Sequence, residues 1–195
     1  MKRTQNNIFS THNLVMMAAL AAMQIILARF FGIQVSDTLR ISFESIPVIL
    51  AGLWLGPVPG MLVGLVADTL GTLMQGLVWF PPLALNPVME GLVAGLSAKY
   101  FIRDGLTTGQ NDWKVALTAL TTGLLNAFVV GLVGSTLYSI IIKGNTTAFS
   151  ALLWTNLLTR LTTKPWTIAA NVAIVVMVNR AVYRSVVAKI VRRTA

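Results

Sequence analysis

The chain has no cysteine and a single histidine among its 195 residues. Without thiols there is no disulfide framework, no thiolate nucleophile and no cysteine-held metal. His12, alone in a polar leader, reads as a solvated side chain. Charge is scarce too: 11% of the residues are charged and only six are acidic, where a soluble domain carries roughly a quarter. No Walker P-loop, HExxH or GxSxG occurs, so the signatures of NTPases, zinc peptidases and serine hydrolases are missing. No nucleophile–base pair is legible either, so neither an enzyme, a metal nor a cofactor is expected.

What fills the chain instead is hydrophobic. Apolar residues make up 55% of it, with a mean hydropathy of +0.75, and the expected class is an all-α integral membrane protein. Its length suits one bundle, a single domain over residues 1–195. The net charge of +9 does not point to nucleic acid, because the basic residues flank hydrophobic runs, where such residues fix topology. The leader "MKRTQNNIFSTHN" is polar and the apolar run after it is long. It reads as a retained first helix rather than a cleaved signal.

Six transmembrane helices are predicted, over about 13–34, 45–56, 58–75, 83–102, 114–142 and 157–187. A perpendicular span needs about 20 apolar residues, so the second must tilt, thin the membrane or pack inside protein. With both termini in the cytoplasm, that side receives Lys2, Arg3, Lys99, Arg103, Lys114, Arg180, Arg184, Lys189, Arg192 and Arg193, ten of the fifteen basic residues. The positive-inside rule predicts this orientation. The uneven connections 35–44, 76–82 and 143–156 then gather outside, where loops on a rigid scaffold favour recognition.

Arg29, Asp68, Glu90, Arg160 and Lys164 fall within the predicted spans. Each costs at least about 2.5–3.5 kcal/mol at a helix centre, so such residues usually face a cavity or a partner. Placed by helical rise, all five lie within roughly 10 Å of the outer surface. Two readings stand. One is a set of structural ion pairs and snorkelling cations. The other is an outward-facing ligand cavity with three cations against two anions, suited to a carboxylate. On the second reading Arg160 and Lys164, with Arg29, bind the ligand while Asp68 is a counter-charge. Glu90, Asn86, Asn156, Thr159 and Thr163 add polar contacts. Trp79 and Phe80, with Trp154 and Trp166, read equally as an interfacial belt or a stacking surface.

Small residues form a further pattern. Gly52, Gly56, Gly60 and Gly64 recur every fourth position across the hinge "GPVPG", continuing through Ala67 and Gly71, and Gly91 and Gly95 follow in the fourth helix. Such stripes let helices approach closely in lipid. Ala18 and Ala22 make a shorter one in the first helix.

The stretch "LRISFESIPVILAGLWLGPVPGMLVGLVADTLGTL" (39–73) resembles the signature of the substrate-binding S components of energy-coupling factor (ECF) vitamin transporters, nearest the folate and pantothenate branch. The resemblance implies a six-helix subunit in the plasma membrane of a prokaryote. It would capture a vitamin from outside and hand it to a transmembrane coupling subunit driven by two ATP-binding-cassette ATPases on separate chains. It also implies that Ala18 and Ala22 dock the coupling subunit. "VWFPPLALNP" and "TRLTTKPW" depart from the family's usual helix starts, which leaves the vitamin open. Pantothenate and folate both carry a carboxylate, and the modest polar lining leans towards pantothenate. A hydroxymethylpyrimidine carrier and a non-transporting assembly or scaffold subunit are the alternatives.

The charge pattern makes a direct prediction. Cysteines introduced at Gly144 and Gln110 in this cysteine-free chain label from outside and from inside, respectively, with a membrane-impermeant maleimide. The opposite pattern would invert the topology.

Overall fold

The computed structural model describes residues 10–30, 33–34, 40–41, 43–74, 76, 78–102, 112–142, 144 and 148–182. The first nine residues, the 103–111 connection, Lys143 and the tail from 183 lie outside these, with most of the 35–44 connection. Among the described residues the regular structure is helical apart from one two-residue antiparallel pair. Helix α1 is Thr11–Phe30, strands β1 and β2 are Ile33–Gln34 and Arg40–Ile41, and α2 is Ser45–Leu55. Then come α3 (Pro57–Met74), α4 (Pro81–Tyr100), α5 (Asp112–Leu125), a π-helical turn (Asn126–Val130), α6 (Gly131–Ile141) and α7 (Phe149–Val178). Helix α5, the π turn and α6 run on as one rod, Asp112–Ile141, so six rods are present among the described residues.

Four rods are long and apolar enough to cross a bilayer: α1, α3, the α5–α6 rod and α7 extended to Val182. Helix α4 has the length, with 20 residues, but Asn86, Glu90, Ser97 and Lys99 make it more polar. Helix α2 has only 11 residues, about 16 Å of rise. Every residue from Ile46 to Leu53 is buried. Of its three options, this helix takes the one inside protein.

Two predicted boundaries are corrected. Helix α1 ends at Phe30, not near 34, because Ile33 and Gln34 pair with Ile41 and Arg40. Arg29 therefore lies in the last helical turn, where a cation opposes the negative end of the helix dipole. Helix α7 begins at Phe149, eight residues before the predicted start. Arg160 lies eleven residues into it, roughly 16 Å, further from the start of its helix than the sequence implied, whereas Arg29 lies nearer the end of its own. Pro165 sits inside α7 without ending it. Thr162, Thr163 and Thr167 return their hydroxyls to carbonyls of the preceding turn, bonds that tend to bend a helix rather than straighten it.

The rods are held together by backbone proximity. A Cβ on Gly60 would lie 2.8 Å from both the Gly52 Cα and the Gly91 carbonyl oxygen, and one on Gly52 would lie 2.6 Å from that same oxygen. Gly64 meets the Pro87 carbonyl in the same way. Helices α2, α3 and α4 thus touch backbone to backbone, which only glycine permits. Gly56 serves differently: its φ of 103° ends α2 in a conformation open to glycine, and Pro57 starts α3 where its missing N–H costs nothing. Trp54 donates its indole N–H to Asn179 Oδ1 at 3.0 Å, tying α2 to the end of α7.

Gly91→Ala forces a methyl into the Gly60 backbone and should cost at least about 3 kcal/mol, the upper end for overpacking. Gly71→Ala faces open space and should be neutral or slightly stabilising. Thermal unfolding of the detergent-purified variants distinguishes them; a wild-type transition for Gly91→Ala would mean the seam has slack.

Candidate functional site: a divided polar cleft

Two chambers lie side by side inside the bundle and share a wall made by Glu44, Ser45, Asn86, Glu90 and Asn126. The first, about 270 Å³, is closed by α1 and α3, which contribute Gln24, Arg29, Asp68 and Thr72. The second, about 160 Å³, is closed by the α5–α6 rod and α7, with Arg160, Lys164 and Thr167. Arg29, Asp68 and Glu90 are thereby brought together on one side, and Glu90, Arg160 and Lys164 on the other.

Glu90 is the hub of this wall. It is only 4% exposed and accepts hydrogen bonds from Ser45 Oγ at 2.8 Å and from the Asn126 amide. A carboxylate so deep is costly unless its lone pairs are met. These two donors come from the start of α2 and from the π turn, so one carboxylate joins three rods.

Arg160 meets the other half of the π turn. Its two terminal nitrogens donate to the carbonyls of Ala127 and Gly131, each at 2.8 Å. The turn explains the match: its hydrogen bond from Gly131 N to the Asn126 carbonyl spans five residues instead of four, a step that disrupts the ordinary ladder. Glycine suits position 131, because a Cβ would fall 2.7 Å from the Asn126 backbone carbonyl oxygen and would also displace the Arg160 guanidinium. Two of the five guanidinium N–H groups are thus committed to backbone, and the other three have no partner among the described residues.

The remaining predicted residues divide. Asn86 lines both chambers, and its Oδ1 is buried without a hydrogen-bond partner, as is Gln24 Oε1. Trp79 lines neither chamber but hydrogen-bonds Asp68 through its side chain. Phe80 stacks edge-on against Tyr138 with centroids 5.7 Å apart, and Asn156 donates to Thr136 Oγ1 at 3.1 Å. Both sit away from the cleft, locking α4 to α6 and α6 to α7. Ala18 and Ala22 are on the exposed face of α1, opposite its buried Met17, Leu20, Ala21 and Gln24.

The expected surplus of one positive charge is corrected. Glu44 joins the wall of both chambers, so three carboxylates face three cations. Sequence reasoning left it in the outer connection, one residue before α2 begins. Asn126, Ser45 and Gln24 were missed as well. The lone amide in "TGLLNAFVV" was the available signal, since a polar side chain amid an apolar span usually has a partner.

The helical bundle thus encloses a charged cleft divided by one shared wall. The family described as "ECF transporter, substrate-specific component" matches residues 12–191, and the chain belongs to it. Among curated proteins it is 36% identical over 121 residues to "Uncharacterized protein MG313 homolog" of Mycoplasma pneumoniae, covering 62% of this chain and 41% of that one. It is 31% identical over 85 residues to "Folate transporter FolT" of Clostridium novyi, covering 43% of this chain and 48% of that one. The alignments thus span less than half of these relatives. In fold it is similar to a solved structure described as "Crystal structure of FolT bound with folic acid". That match has a TM-score of 0.61 and 24% identity, and covers 83% of this chain and 91% of the other.

Proposed function

We propose that residues 1–195 form one vitamin-capturing unit of a prokaryotic plasma membrane. It crosses six times with both termini in the cytoplasm, binds a folate-type vitamin from outside, and delivers it through a coupling subunit driven by two ATPases. The observation that carries this is the division of the cleft. Beyond the shared acceptors Glu44, Glu90 and Asn86, the first chamber adds Asp68 and the unpartnered oxygen of Gln24. The other presents Arg160 and Lys164 one helical turn apart.

Such a pair of chambers suits an elongated ligand with N–H donors at one end and a carboxylate at the other. Folate has both ends; pantothenate has the carboxylate without the donor-rich heterocycle. The folate transporter relative and the folate-bound fold neighbour support the same choice, against the lean towards pantothenate drawn from composition. Arg160 and Lys164 hold the carboxylate, with Arg29 at the other chamber, and Asp68 with Glu90 balances the cations. An unpaired charge at this depth would be costly. Ala18 and Ala22, small and outward, form the docking face for the coupling subunit.

Calorimetry with folic acid, 6-hydroxymethylpterin and pantothenate tests the ligand. Folic acid should bind, and Lys164→Gln should weaken it about ten- to a hundredfold, the loss of one charged hydrogen bond. Arg160→Lys should weaken it similarly, since an ammonium cannot reproduce the guanidinium fork. 6-Hydroxymethylpterin, which keeps the donor-rich heterocycle and has no carboxylate, should bind the wild type and Lys164→Gln alike. Binding of pantothenate but not folic acid would reassign the vitamin; no heat with any of them would favour a scaffold subunit.

Docking has a separate readout. Replacing Ala18 and Ala22 together by leucine should abolish uptake into cells while folic acid binding to the isolated protein is unchanged. Undiminished uptake would move the docking face elsewhere.

A further inference from the structure

A second concavity lies on the outside of the bundle, away from the cleft. Between the end of α4 and the start of α5 runs a groove of about 380 Å³ lined by Leu96, Ser97, Tyr100, Phe101, Leu117, Thr118 and Thr121. Its threonines do not make it polar: Thr118 Oγ1 donates to the Lys114 carbonyl at 2.9 Å and Thr121 Oγ1 to the Thr118 carbonyl at 3.0 Å. Leu96, Tyr100, Phe101 and Leu117 are exposed, so the groove opens sideways, where hydrocarbon surrounds a membrane bundle.

One end of the groove is different. Phe101 and Trp113 meet edge-on with centroids 5.7 Å apart. Lys99 Nζ lies 5.3 Å from the Tyr100 ring centroid and Lys114 Nζ 5.8 Å from that of Phe101. Aromatic rings with lysines mark the level of the headgroups. From Lys114 to Thr121 the groove reaches about 10 Å further along α5, into the acyl region. Among the described residues the acidic neighbour at this end is Asp112, engaged by Arg180 at 3.9 Å, and with Lys99 and Lys114 the described charge here is basic.

We propose that this groove holds an acyl chain of an anionic phospholipid, with its phosphate between Lys99 and Lys114. A water-soluble ligand is disfavoured because the opening faces lipid, and a zwitterionic lipid would gain little from two lysines. The docking face assigned to the coupling subunit is on α1, which packs on α2 and α3 rather than on the helices that form this groove. With the orientation proposed above, the lipid belongs to the cytoplasmic leaflet.

The test reconstitutes the full chain into vesicles of equal phosphatidylglycerol and phosphatidylcholine, then counts retained phospholipid by native mass spectrometry after gentle solubilisation. Phosphatidylglycerol should be retained over phosphatidylcholine by about tenfold or more, from two lysines near an anionic headgroup. The double substitution Lys99→Gln with Lys114→Gln should remove that preference. Leu117→Trp, which fills the groove and keeps both lysines, should lower retention of either lipid. Equal retention of the two lipids by the wild type, or a preference that survives the lysine substitutions, overturns the proposal. So does a Leu117→Trp protein that keeps its lipid but no longer assembles with the coupling module, which would make the groove a protein interface.

Discussion

The contact of three backbones at Gly52, Gly60 and Gly91 is the constraint on which the rest depends. Apolar side chains gain little by leaving lipid for one another, so rods in a bilayer hold together by close packing and internal hydrogen bonds. The glycines bring α2, α3 and α4 close enough for an 11-residue helix to be buried along its length. That burial sets the depth of the cleft. Ser45, at the start of α2, arrives beside Glu90, and Glu90 directly precedes Gly91 in α4. The seam and the site are thus neighbours in sequence as well as in space.

From Glu90 a chain of polar contacts crosses the bundle: Ser45 and Asn126 on the carboxylate, then the π turn, then Arg160 on the carbonyls of Ala127 and Gly131. In a low-dielectric interior each link is strong when made and expensive when broken. The π turn lets one short segment serve both partners, giving an amide to the acid and carbonyls to the base. This arrangement keeps opposite charges from two chambers in register without a direct Glu90–Arg160 ion pair among the described residues. It also leaves guanidinium donors uncommitted, which a rigid ion pair would have consumed.

The parts of this fold legible in the sequence were those with strong composition signals. The rods and the short second helix follow from runs of apolar residues, and Gly52, Gly60 and Gly64 from a fixed spacing. The ends were harder. "KGNTTAFS" reads as a loop, yet its last two residues already begin α7, because Phe and Ser tolerate a helix once Ala148 has turned the chain. In the site, Arg29, Asp68, Glu90, Arg160 and Lys164 were legible because charge is rare here. Glu44 was not, because a carboxylate beside a predicted loop raises no alarm. Phe80 and Asn156 show the converse: polar or aromatic character at the right depth can serve packing alone.

The facing of each rod was the least legible feature, and α1 shows why. Its buried positions Met17, Leu20, Ala21 and Gln24 follow helical spacing, but its exposed positions Leu14, Val15, Met23 and Ile26 are equally apolar. In water such a helix would have to be buried all round; in a bilayer the outward residues meet lipid at no cost. Hydrophobicity therefore cannot separate core from surface, and only residue size and polarity can. Gln24, with an amide that lipid would reject, marks the inward face, and Ala18 and Ala22 mark an outward face narrow enough for another helix. Both sets lie on one helix within seven residues, so the element that closes the first chamber also carries the surface proposed for the partner. Any shift of α1 that admits or releases a ligand must move that surface with it.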